Sequence, residues 1–227
     1  STANDISEFF PQFAAKIRVI PLSGFMAAKN SSLAFPNFAK INQPYVLFVG
    51  TLEPRKNIDK LLQAFSLLPT ALRKHFQLVI TGANGWGNII LNKLIIKYGL
   101  QDNIFSTGYI SDEQLISLYQ NAYCLALPSL YEGFGLPILE AHSFGIPVLT
   151  SNLASMPEVA GDAAIYVDPK NVKSISNGLK TLLENSELRE NLAQKAKKNS
   201  TKYSWEKTAY MTLAAFKEAI KLHKQNI

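Results

Sequence analysis

The chain has 227 residues, 47% hydrophobic and 18% charged, which excludes a disordered or fibrous polymer and suits one to one and a half compact α/β domains. Lys and Arg number 23 against 17 Asp and Glu, a net charge of +6, so phosphates, other acidic ligands or an anionic membrane surface are the favoured partners, weighed against a basic surface with no partner. A single cysteine, Cys124, excludes an internal disulfide, and its place in the apolar run YCLALP reads as a buried structural thiol suited to a reducing compartment.

No apolar run approaches the roughly 20 residues that span a bilayer, and the opening STANDISEFF lacks a charged-then-apolar signal pattern, so a soluble chain is expected. The run KIRVI (16–20) is the first expected strand, and residues 21–44, rich in Ser, Asn and Pro, are expected to be a loop or linker. Six more apolar, β-branched runs have helical patterns among them. YVLFVG (45–50) precedes the helical NIDKLLQAFSLL, and QLVITG (77–82) precedes NIILNKLIIKYG. NIFSTG (103–108) precedes SDEQLISLYQNA, whose Ser111 and Gln114 make a capping box. YCLALP (123–128) precedes the helix PILEAHSFG, followed by IPVLTS (146–151) and then AAIYVD (163–168). From Asn171 onward three helical stretches follow in a row with no strand between them. Runs apolar enough for burial on both faces, alternating with helices, predict an α/β fold with a doubly wound, Rossmann-like parallel sheet whose ligands bind at the carboxyl ends of the strands.

Two of those strand ends carry chemistry. In LYEGFGLPILEA, Glu132 and Glu140 are separated by seven residues containing two glycines and a proline. Pro137 suits the first residue of a helix, which puts Glu140 in its first turn and aims the amides of Phe134, Gly135 and Leu136 at the strand ends, a geometry that holds phosphate. A carboxylate at Glu140 can take the two hydroxyls of a ribose, and Glu132 can reach the far side of the phosphate. Alternatively, Glu140 only complements the helix dipole and Glu132 is solvated. In GTLEPRKNID, Gly50 permits a tight exit from the strand, Asn57 is expected to cap the next helix, and Arg55 beside Lys56 suits a diphosphate. The glycines Gly82, Gly85 and Gly87 do not have dinucleotide-binding spacing and are expected to form a strand-end turn, while Tyr166 and Lys170 are separated by Pro169, which forbids a shared helix face. His75, His142 and His223 are dispersed and no close aspartate pair is present, so no metal site is expected; His142 is read as a packing or surface residue.

The segments FVGTLEPRKNIDKLLQAF, LVITGANGWG, NIFSTGYISDEQLISLYQNA, LPSLYEGFGLPILEAHSFGIPVLTSNLASMPEVAGDAAIYVDP and YSWEKTAYMTLAAF resemble, in that order, the C-terminal half of a family-four retaining glycosyltransferase of the GT-B fold. The resemblance covers about residues 16–227, and the Glu132 and Glu140 pair with its flanking Gly-Phe-Gly is its most specific element. It implies a hinge or linker from a missing N-terminal domain over 1–15, a nucleotide-sugar-binding Rossmann-like domain over 16–203 and a C-terminal crossover helix over 204–227. Glu140 would bind the ribose of the donor and Glu132 would sit beside the transferred sugar. Phe134, Gly135 and Leu136 would face sugar and phosphate, with Gly50, Thr51 and Gly82 lining the same strand ends. Arg55 and Lys56 would neutralise the leaving diphosphate, and Tyr109 and Ile110 would line the base. Many relatives carry an arginine where this chain has Thr51, which would leave Arg55 to make both phosphate contacts.

The resemblance further implies transfer with retention and without a metal, a GDP-mannose-like donor, and a missing N-terminal acceptor domain. It also implies a cytoplasmic place, peripheral at the inner membrane face, with a lipid-linked acceptor of polysaccharide biosynthesis. The last helix would supply Trp205, Ala209, Leu213, Phe216 and Ile220 as a stripe that packs on that other domain, or else seals the core of this one. A non-catalytic nucleotide-binding or regulatory module is the alternative. A nucleic-acid binder is disfavoured because no basic stripe is interleaved with aromatics.

Overall fold

The computed structural model describes residues 2–24, 41–87 and 89–225. Among these, six strands appear: β1 (Tyr45–Val49), β2 (Gln77–Thr81), β3 (Ile104–Gly108), β4 (Cys124–Leu127), β5 (Val148–Ser151) and β6 (Ala164–Val167). They form one parallel sheet in the order β3-β2-β1-β4-β5-β6. Every residue of β1, β2, β4 and β5 is buried, as expected of strands covered on both faces, whereas the edge strands β3 and β6 are only partly covered. Cys124 opens β4 fully buried, and burial pushes its thiol up to about 12. The strand order reverses between β1 and β4, so the crossovers run outward in opposite directions and leave a crevice at the carboxyl ends of those two strands.

The helices are α1 (Thr2–Phe9), α2 (Ile58–Ser66), α3 (Thr70–His75), α4 (Leu91–Lys97), α5 (Asp112–Asn121), α6 (Leu136–Ser143), α7 (Met156–Ala160), α8 (Val172–Glu184), α9 (Ser186–Ser200) and α10 (Trp205–Gln225). Helix α2 packs on α8, and α6 packs on α7 and α9. The expected capping box is present: Ser111 Oγ accepts from the Gln114 amide at 3.3 Å and Gln114 Oε1 from the Ser111 amide at 3.1 Å. Gly178 on α8 lies so close to the sheet that an added Cβ would be 2.7 Å from Val167 Cγ1.

Residues 1–15 hold α1 and the start of a 3-10 turn, Pro11–Lys16. Other expectations are corrected. Residues 16–20 form no strand, because the extended chain that follows the turn bonds to α10 in place of a sheet neighbour. Thr208 Oγ1 donates to the Pro21 carbonyl at 2.7 Å, Trp205 Nε1 to the Gly24 carbonyl at 3.2 Å, and Arg18 pairs with Glu218. Of the loop expected over 21–44, residues 25–40 lie outside the described residues. The short helices α3 and α7 carry too few residues to show a helical period in the sequence. The stripe on α10 does not seal this domain's core: Leu213, Phe216 and Ile220 are each more than half exposed.

His142 on α6 is fully buried, with Nδ1 3.1 Å from Asn199 Nδ2, which also donates to the Val159 carbonyl at 2.8 Å. The ring thus joins α6 to α9 and α7, and burial lowers its pKa to about 4. A histidine at about 6.5 in the unfolded chain takes up its proton first as the pH falls, so the unfolded state gains between those two values and stability is lost. Urea unfolding should therefore show roughly 2 kcal/mol less stability at pH 5 than at pH 7 from this residue, and the His142→Gln variant should lose that slope.

Candidate functional site

The loops after β1, β2, β3 and β4 meet at one edge of the sheet. Past β1, the ladder continues through the Gly50 amide to the Thr81 carbonyl at 3.0 Å and the Leu52 amide to the Ala83 carbonyl at 2.9 Å. Gly82 is required there: its φ is +143°, and an added Cβ would be 2.1 Å from the Gly50 carbonyl oxygen. The 3-10 turn Pro54–Lys56 then turns the chain into α2 through Asn57, which is in the left-handed region at φ 61°. Asn57 does not cap α2 with its side chain as expected. Its Nδ2 donates to the Pro128 carbonyl at 2.9 Å and the Pro169 carbonyl at 2.8 Å, tying together the loops that follow β1, β4 and β6.

Glu132 is 5% exposed, which excludes a solvated role. Its Oε1 accepts from Lys56 Nζ at 2.6 Å and Ser129 Oγ at 2.8 Å, and its Oε2 from Arg55 Nη1 at 2.7 Å. Arg55 Nε turns the other way, to Glu53 Oε2 at 2.8 Å, and the Leu130 amide donates to the Arg55 carbonyl at 2.7 Å. Lys56 is buried beneath Glu132, with its Cε at 3.1 Å from where a Cβ on Gly50 would lie, while the Arg55 side chain is 37% exposed. Two cations thus meet two carboxylates, and the guanidinium is the accessible edge of the cluster.

The turn after Glu132 leads into α6 through Gly135, at φ 97°. The helix begins at Leu136, one residue earlier than expected, so Glu140 is its fifth residue, in the second turn and not the first. Among the described residues no acceptor takes the amides of Phe134, Gly135 and Leu136, which gives the start of α6 donors suited to an anion. Glu140 is half-buried, and its Oε2 accepts from the Tyr119 hydroxyl at 2.7 Å. Burial raises its pKa, an effect opposed by the Tyr119 bond and by Lys56 and reinforced by Asp112.

A cleft of about 450 Å³ runs along the ends of β2 and β3, lined by Leu52, Gly82, Asn84, Asn92, Ser106 and Tyr109, among others. Tyr109 is 83% exposed over it, whereas Ile110 packs against the core and is not part of the lining. Thr51 lies on the loop between the two regions. Sequence reasoning missed Ser129, Glu53 and Tyr119. The first two stand next to the basic pair and the glutamate motif, where a satisfied carboxylate needs further donors; nothing in the sequence marks Tyr119.

The fold and this edge define a doubly wound α/β domain with an anion-suited crevice at its switch point. Residues 31–199 match the family described as glycosyl transferases group 1, and the chain belongs to that family. It is similar to O-antigen chain mannosyltransferase B of Escherichia coli, 42% identical over 175 residues that make up 77% of this chain and 46% of that one. The MMP alpha-(1->4)-mannosyltransferase of Mycolicibacterium hassiacum is 28% identical over 225 residues, 97% of this chain and 53% of that protein. The fold is also that of Anabaena HepE, solved in complex with UDP and glucose, at TM-score 0.66 and 20% identity over 82% of this chain and 50% of that one. The chain thus spans about half the length of the curated relatives it matches.

A carboxylate buried against an ammonium cannot lose its charge cheaply. Glu132→Gln should destabilise the domain by roughly 3 to 5 kcal/mol in urea unfolding, because Lys56 is left without a counter-charge. Arg55→Gln should cost about 1 kcal/mol or less, since its guanidinium still meets water.

Proposed function

We propose that this chain is the donor-binding half of a retaining mannosyltransferase that takes mannose from GDP-mannose or a closely similar nucleotide sugar. The observation that carries this reading is the Arg55, Lys56 and Glu132 cluster in the loops that lead to the uncapped start of α6 at the sheet's switch point. The mannosyl assignment draws on the similar bacterial proteins, which are named as mannosyltransferases.

In this reading the diphosphate lies between the amides of Phe134, Gly135 and Leu136 and the exposed edge of Arg55. The base occupies the cleft under Tyr109, and Glu140 takes the ribose hydroxyls. Breaking the bond between sugar and phosphate leaves a diphosphate anion and an oxocarbenium-like sugar. Arg55 and Lys56 stabilise the first, and the Glu132 carboxylate stabilises the second. Because Glu132 already holds both cations, the cluster is positioned before the donor enters and reorganises little during transfer. The acceptor groups are supplied by the rest of a two-domain enzyme, whose acceptor is a lipid-linked or polysaccharide chain; the +6 charge suits an anionic membrane surface. Among the described residues no helix is long and apolar enough to cross a membrane.

A thermal-shift panel of GDP-mannose, UDP-glucose and ADP-glucose should show the largest stabilisation with GDP-mannose, and no shift with any of the three would overturn the reading. In calorimetry, Glu140→Gln should weaken nucleoside diphosphate binding by roughly 1 to 3 kcal/mol while leaving the domain folded. Binding should persist in EDTA, since Arg55, Lys56 and the helix start supply the positive charge; restoration only by Mg²⁺ would replace this account with a metal-held diphosphate.

A further inference from the structure

Glu140 has a partner that no part of the donor-site reading requires. The Tyr119 hydroxyl donates to Glu140 Oε2 at 2.7 Å from the interior of α5, where the whole residue is buried. Its ring lies nearly parallel to that of Phe144, with centroids 5.9 Å apart and planes 11° from each other. Phe144 caps the end of α6 four residues after Glu140, so one turn of helix separates the ring that holds Tyr119 from the carboxylate that Tyr119 holds.

A phenylalanine would satisfy that stacking, and a buried hydroxyl is costly unless it is paired. The hydroxyl therefore earns its place through Glu140. A phenol has one proton to give, so it engages one oxygen and defines the carboxylate plane. Burial and then the Glu140 charge hold the Tyr119 pKa well above the ordinary range, so the phenol keeps the proton that it donates to the carboxylate.

We propose that Tyr119 is the positioning residue for ribose recognition: it locks the carboxylate of Glu140 so that the remaining acceptor positions, both lone pairs of Oε1 and one of Oε2, stand ready for two vicinal hydroxyls. This rests on the donor-site reading above. Without the phenol the carboxylate is free to turn about its last torsion, and ordering it falls to the ligand. The chemistry selected is a nucleotide with both the 2′- and the 3′-hydroxyl.

The test is calorimetry on the full chain with whichever of GDP, UDP and ADP binds tightest, and with the 2′-deoxy and 3′-deoxy forms of that nucleotide. Wild type should bind each deoxy form roughly tenfold more weakly, the loss of about one charge-assisted hydrogen bond. Tyr119→Phe keeps the ring and should weaken the parent nucleotide by about the same factor while leaving the deoxy forms unchanged, so the ratio approaches one. In the Tyr119→Phe and Glu140→Gln double variant the two losses should not add. A wild-type ratio retained in Tyr119→Phe, or all three nucleotides weakened alike, overturns the positioning role and leaves the donor site standing. Loss of cooperative unfolding in Tyr119→Phe also overturns it, by making the hydroxyl a requirement of the core. A wild-type ratio near one removes Glu140 from the ribose and the proposal with it.

Discussion

An ammonium group that is almost wholly withdrawn from water has to meet a carboxylate, and Lys56 meets Glu132. The two residues belong to loops from strands adjacent at the point where the strand order reverses, so satisfying the lysine also fastens the turn after β4 to the turn after β1. Ser129, Arg55 and the Leu130 amide complete the same junction. The backbone of Glu132 is held as well, since its carbonyl accepts from Ser155 Oγ at 2.8 Å. With both ends of that residue fixed, the glycine-containing turn that follows enters α6 in one direction and sets where the amides at the helix start lie.

Asn57 extends the constraint across the sheet. A residue in the left-handed region ordinarily invites glycine, but an asparagine tolerates it and brings an amide that donates to two carbonyls. One side chain thereby sets the spacing of loops from the middle and the far edge of the sheet. The close approach of Gly82 to Gly50 performs the same service on the other side, where the loop after β2 closes over the loop after β1. The crevice is a consequence of these junctions more than of the strands beneath it.

The alternation of fully apolar runs with helical periods was legible because both faces of β1, β2, β4 and β5 are covered, so their composition has no competing reading. KIRVI has the same composition but meets α10, a partner about 190 residues further on, which no local pattern can announce. The glutamate motif and the basic pair were legible as charges at strand ends. Their pairing with each other was not, because spacing along the chain says which loop a charge is on and not which neighbour it will satisfy. Asn57 departs from expectation for the same reason: its position before a helix suits a cap, while its side-chain partners lie on distant loops. Tyr119 was invisible because a tyrosine on the buried face of an amphipathic helix reads as core, and its hydroxyl is informative only once Glu140 is placed above it.

The single thiol described at the head of β4 makes the protein its own reporter. Cys124 is closed off at the centre of the sheet and held protonated by its surroundings, so alkylating reagents should meet it only when β1 and β4 part. The rate of labelling at a given reagent concentration then measures how often the middle of the sheet opens. It does so in a chain with no other cysteine to confuse the signal. Because the junctions that hold the crevice cross that same strand pair, any ligand that seats there should be detectable as slowed labelling, without a substrate, an acceptor or a catalytic assay.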